Sequence, residues 1–99
     1  MKRSARILRR ALDDLVEIHR YIERDRPIAA DRVIGSLLDL IASLERFPDR
    51  GRVPRDLGLR SRGFRVLVEA EYLVFYKVLR TNVRVYRVIH GRRRYEHLL

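Results

Sequence analysis

Residues 64–91 read FRVLVEAEYLVFYKVLRTNVRVYRVIHG, and this stretch decides the fold. Aromatic and β-branched side chains dominate Phe64 to Val68 and Tyr72 to Leu79. The short break Glu69-Ala70-Glu71 between them is the size of a hairpin turn, so two paired strands are predicted. Arg80-Thr81-Asn82 makes the next turn, and Val83 to Ile89 alternates apolar residues with Arg84 and Arg87, a third strand that ends at His90-Gly91. Within the middle strand, Tyr72, Val74, Tyr76 and Val78 fall on one face and Leu73, Phe75 and Leu79 on the other. Both faces are apolar, as expected of a central strand covered on two sides.

Upstream the period becomes helical. From Ala11 the residues Leu12, Leu15, Val16, Ile18, His19 and Ile22 recur at the spacing of one helical stripe, which predicts a first helix running to about Arg24. Asp13 and Asp14 are expected in its first turn, where the helix dipole favours acids. Asp25-Arg26-Pro27 breaks the pattern, and proline is well placed to open a second helix. Its stripe is Ala30, Val33, Ile34, Leu37, Leu38, Ile41 and Leu44, and it ends at Phe47-Pro48 before a turn-rich stretch from Asp49 to Gly58. So short a break gives an antiparallel helical hairpin. Alternation around Ala5 and Ile7 within residues 4–9 fits an N-terminal edge strand or the lead-in to the first helix, and the fold class takes the strand. The fold class is therefore α+β in one domain spanning residues 1–99: an N-terminal strand and a helical hairpin packed on an antiparallel sheet with a three-strand C-terminal meander.

The 99 residues are 46% hydrophobic and 36% charged, enough apolar side chain for a packed core. No 18-residue apolar run exists, and Arg6, Arg9 and Arg10 interrupt any signal-peptide core, so the expectation is a soluble, cytoplasmic chain with no membrane partner. The absence of cysteine removes disulfides, thiolate catalysis and cysteine-bound zinc. No phosphate-binding glycine loop, H-E-x-x-H or nucleophile elbow is present, and His19, His90 and His97 show no metal-ligand spacing. No metal and no cofactor is expected. The net charge is +10, and it is lopsided: residues 1–50 carry 11 basic and 9 acidic side chains, residues 51–99 carry 12 and 4. A polyanion or an acidic protein is the expected partner of the second half.

The C-terminal stretch concentrates chemistry. His90, Arg92, Arg93, Arg94, Tyr95 and His97 place imidazoles, guanidiniums and a phenol within eight residues. Metal-free RNA cleavage needs a base for the 2′-hydroxyl, a cation for the phosphorane and an acid for the leaving oxygen. Those groups are present in kind, but a solvated basic terminus or a binding patch has the same composition.

Several pieces stand in a fixed order along the chain: Ala11-Leu12-Asp13-Asp14-Leu15-Val16-Glu17-Ile18 with Tyr21-Ile22, then Pro27 and Ala30, then Phe47-Pro48 with Gly51-Arg52. Tyr72-Leu73-Val74-Phe75-Tyr76-Lys77-Val78 and Arg87-Val88-Ile89-His90-Gly91-Arg92-Arg93 follow. In these pieces the chain as a whole resembles the RelE/ParE superfamily of bacterial toxins. The resemblance implies the toxin component of a type II toxin-antitoxin system whose partner is a cognate acidic antitoxin. RelE-like members cleave mRNA on the ribosome, and ParE-like members poison DNA gyrase. RelE-like sequences usually carry an arginine straight after the tyrosine that opens the central strand, and here that position is Leu73. The resemblance therefore implies the ParE-like branch, a gyrase-binding toxin rather than an enzyme. ParE endings usually read Gly-Arg-Arg-Asp before an aromatic residue, whereas here Arg94 precedes Tyr95. On the charge argument the target-binding residues are Arg65, Arg84, Arg87, Arg92, Arg93, Arg94 and Tyr95. The alternative is a ribosome-dependent mRNA endoribonuclease with Arg65 or Arg92 as phosphate clamp and His90, His97 and Tyr95 as acid or base. Self-association is not legible in the sequence.

Overall fold

The structure is a computed structural model that describes residues 3–92 and 96–99. In chain order the elements are β1 (Ser4–Ile7), α1 (Arg9–Glu23), α2 (Pro27–Ser43), α3 (Leu57–Ser61), β2 (Phe64–Glu69), β3 (Tyr72–Val78) and β4 (Asn82–His90), with a final 3-10 turn at Glu96–Leu98. The helical hairpin and the meander stand where the sequence periods put them. Pro27 opens α2, where its missing N–H costs nothing.

Three differences have physical causes. Helix α1 starts at Arg9 rather than Ala11, so Asp13 and Asp14 lie beyond the first turn. Asp13 faces Arg9 at 3.4 Å, and Asp14 turns inward. Helix α2 ends at Ser43, and the last residues before Phe47-Pro48 form turns closed by Phe47 N–H to the Ser43 carbonyl at 2.9 Å. Helix α3 lies in the stretch expected to be loop. Five residues are too few to show a period, and its signal is the cap: the Asp56 carboxylate accepts the Leu59 amide at 2.9 Å.

The sheet order is β1-β4-β3-β2. Strand β1 runs parallel to β4, from Ser4↔Asn82 to Ile7↔Val85, so the sheet is mixed, with the meander as its antiparallel part. The outer edge of β1 is covered by Glu45, whose carbonyl and side chain accept the Arg3 and Ala5 amides at 3.1 Å each. That removes a free strand edge.

Two cores flank the central β3. On the helix side Ala11, Leu15, Leu37, Ile41 and Leu44 close over Val74, Tyr76, Val83 and Val85. On the other side Leu59, Phe64, Val66, Phe75 and Ile89 pack with Leu73, Tyr86, Leu98 and Leu99. The apolar pattern on both faces of β3 is thus used as its sequence implied.

Candidate functional site

Arg65 and Tyr76 are register partners on β2 and β3, and together they fasten the loop that follows Pro48. The Tyr76 hydroxyl donates to the Pro48 carbonyl at 2.7 Å and accepts the Gly51 amide at 2.9 Å. Burial pushes the Tyr76 phenol above its usual range, and the Gly51 bond only partly opposes this. Arg65 donates to the Gly51 carbonyl at 2.7 Å and lies 3.7 Å from the Asp49 carboxylate. A cation expected to meet the target is committed to its own loop.

Arg87 is committed more deeply. The ladder slips between Phe75 and Tyr76, pairing Phe75 with Arg87 and Tyr76 with Val85, so Tyr86 bulges. Because β1 has ended opposite Val85, the edge of β4 beyond it is open, and Asp14 of α1 fills the gap. Its Oδ2 accepts Arg87 Nε at 2.7 Å and the Val88 amide at 3.0 Å, and its Oδ1 accepts Arg87 Nη2 at 2.9 Å. The remaining Nη1 donates to the Leu98 carbonyl at 3.1 Å. Asp14 and Arg87 are 6% and 4% exposed. The bond to Asp14 raises the Arg87 pKa further. Assigning Arg87 to target contact is corrected by this burial: the guanidinium joins α1, β4 and the C-terminal turn. Asp14 was missed as its partner, yet the sequence carried a signal. With Ala11, Leu15, Ile18 and Ile22 it shares one helical face, and a carboxylate on an apolar face needs a cation.

His90, Arg92 and Tyr72 border a groove of about 650 Å³ between α1, the start of α2 and the β3 and β4 ends, with Glu17, Tyr21, Arg26 and Glu71 also at its walls. The His90 Nδ1 accepts the Arg92 amide at 3.1 Å, which puts the ring proton on Nε2, 3.5 Å from Glu71. The ring stands edge-on to Tyr72, with centroids 5.5 Å apart. Burial, then the Glu71 charge, raises the Tyr72 phenol.

The structure therefore divides the expected set. Arg65 sits on the row of Tyr76 and His90 on that of Tyr72. Four residues of strand, about 13 Å, separate those rows. Arg84 lies on the sheet face opposite the helices, next to Lys77 and Arg6. His97 is exposed in the terminal turn. Arg93, Arg94 and Tyr95 lie outside the described residues.

A second groove, about 420 Å³ and mostly apolar, runs along the outside of the helical hairpin between Leu12, Leu15, Val16, Ile34 and Leu38, with His19, Arg20 and Glu23 on its rim. Leu12, Val16 and Leu38 are 44, 50 and 42% exposed. The single stripe expected of α1 is thus two: Leu15, Ile18 and Ile22 turn toward the sheet side, while Leu12 and Val16 face outward. His19 joins the helices at this rim, its Nε2 2.8 Å from Asp31 on α2 and its Nδ1 3.6 Å from Glu23. No helix among the described residues is long and apolar enough to cross a membrane.

A helical hairpin packed on a mixed four-strand sheet has a counterpart among solved structures. The chain superposes on a structure of the chromosomal ParDE toxin-antitoxin system from P. aeruginosa with a TM-score of 0.76, covering 90% of this chain and 96% of that one at 18% identity. It is 33% identical over 90 residues, 91% of this chain and 90% of the relative, to the protein named "Putative toxin Y4kP" of Sinorhizobium fredii. Residues 5–95 match the ParE toxin of type II toxin-antitoxin system, parDE, and the chain belongs to that family. Its class of protein partner is accordingly an antitoxin.

Proposed function

We propose that the protein acts in the cytoplasm as a growth-arresting inhibitor of DNA gyrase, held in check by an acidic antitoxin seated on the helical-hairpin groove. The observation that carries the choice of target is the state of the cations a phosphate-cleaving centre would need. Arg65 is tied to residues 49–51, Arg87 is locked on Asp14, and His90 stands about 13 Å along the sheet from the Arg65 row. Leu73, at the position where RelE-like members usually carry an arginine, is packed into the core on the other face. Such an arrangement suits a surface that binds better than a centre that cleaves.

For the antitoxin, the groove offers Leu12, Val16 and Leu38 to an apolar side-chain row, and the +10 chain favours an acidic one. The deciding experiment is a supercoiling assay with purified gyrase and relaxed plasmid. Dose-dependent inhibition, relieved by the neighbour-encoded antitoxin, is expected. Unimpaired gyrase beside discrete cuts inside translated codons would overturn the reading in favour of ribosomal mRNA cleavage.

A further inference from the structure

The sheet face turned away from the helical hairpin carries a row of cations that neither groove uses. Arg6 pairs in register with Arg84, Arg84 with Lys77, and Lys77 with Phe64, so one line crosses β1, β4, β3 and β2. Their neighbours Ala5, Ile7, Val83, Val85 and Val78 pack on the helix side, which puts Arg6, Arg84 and Lys77 on the opposite face. Adjacent strands are about 4.8 Å apart, so the three backbone positions span about 10 Å. Helix α3, Leu98 and Leu99 pack on the same face over Phe64, Val66, Phe75 and Ile89. On the half that bears the cations Arg6 is exposed and Lys77 and Arg84 are half-buried.

Their charges are unanswered. Among the described residues no carboxylate lies within 4.0 Å of Arg6, Arg84 or Lys77, whereas Arg9, Arg65 and Arg87 each have one. No strand residue on this face is acidic: Glu69, on the Tyr72 row, belongs to the other side. Lys77 is also held in place, its Nζ 4.5 Å from the Phe64 ring centroid and 5.0 Å from that of Tyr86. The two rings meet edge to face at 5.2 Å. A cation fixed over two rings gives up less side-chain entropy on meeting an anion.

We propose that Arg6, Arg84 and Lys77 form a binding site for the phosphodiester backbone of a polynucleotide. A protein partner needs an apolar centre to its interface, and the mostly apolar groove is on the helical hairpin. A bare row of cations meets the one requirement of backbone binding, which is to neutralise phosphates and release their counterions. The charge reading of the sequence picked out Arg84 alone, because only strand pairing brings Arg6, 78 residues earlier, to its side. This proposal does not depend on gyrase being the target.

The test is fluorescence anisotropy with three labelled 30-mers, namely duplex DNA, single-stranded DNA and RNA, over a series of salt concentrations. The arms show which polynucleotide is preferred. Arg6→Gln/Lys77→Gln/Arg84→Gln should weaken binding at low salt at least tenfold. It should also flatten the salt slope by about 2 to 3, from roughly 0.7 to 0.9 per lost phosphate contact. The control Arg10→Gln/Arg24→Gln/Arg32→Gln removes equal charge from exposed positions on or next to α1 and α2 and should change affinity less than threefold. Arg6→Glu, at an exposed edge position, repeats the measurement with the core untouched. Equal losses in the two triple variants, or no salt-dependent binding to any probe, would overturn the proposal.

Discussion

Asp14 and Arg87, 73 residues apart in sequence, meet through two hydrogen bonds of 2.7 and 2.9 Å at the point where β1 stops covering β4. The carboxylate also accepts the Val88 amide at 3.0 Å, standing in for the absent strand. One side chain thereby satisfies a buried guanidinium and a buried backbone donor. Arg87 passes the constraint on to the C-terminal turn through Leu98.

Removing one partner leaves the other buried and charged, which costs about 3–5 kcal/mol. Asp14→Ala and Arg87→Met should each lose that much in urea unfolding. The double variant should lose clearly less than the sum. Strict additivity would show that the two residues do not stabilise each other.

Tyr76→Phe strips the Gly51 amide and the Pro48 carbonyl of their partner, and about 1–3 kcal/mol should be lost at neutral pH. The phenol's folded pKa is raised, so its contribution is fully present below the unfolded value of about 10 and falls as pH climbs through the folded value. Wild-type stability should therefore decline more steeply above about pH 10 than that of Tyr76→Phe. Parallel declines in the two proteins would remove Tyr76 as the source.

Gly51 has no room for a side chain. A Cβ there would lie 2.6 Å from the Tyr76 hydroxyl and 2.9 Å from the Val66 carbonyl. Gly51→Ala should cost about 1–3 kcal/mol and release the loop held by Arg65. A melting temperature equal to wild type would contradict that close approach.

Ala70 holds φ +51° in the two-residue turn between β2 and β3, a left-handed conformation that costs a residue with a Cβ about 1–2 kcal/mol. Ala70→Gly relieves the strain but loosens the unfolded chain, so a net gain of about 0.5 kcal/mol is expected in denaturant midpoint. Destabilisation would mean that the turn is unstrained.

At the helical hairpin, Leu12→Ala and Leu38→Ala should each reduce antitoxin affinity about tenfold by calorimetry, since about 1.5 kcal/mol attends burial of such a side chain. Both positions are half exposed in the free protein, so thermal stability should move little. Raising the salt should weaken binding in wild type and variants alike. Unchanged affinity in both variants would move the antitoxin off this groove.

The sequence by itself determined the elements and their order, because periods of 3.6 and 2 are local: the helical hairpin, the meander and the two-sided burial of β3 were written in residues 11–44 and 64–89. It also determined the family, through short motifs in a fixed order, and the excess of charge in the second half. Tertiary structure alone decided which charges are available. Arg65, Arg84 and Arg87 look alike in a charge count, yet one is tied to a loop carbonyl, one meets no carboxylate among the described residues and one is buried on Asp14. A bulge at Tyr86, the parallel pairing of β1 with β4 and the early end of β1 produce that division. The β1 pairing joins residues 78 positions apart and the bulge shifts the register between two neighbouring strands, and neither leaves a periodic trace in its own segment.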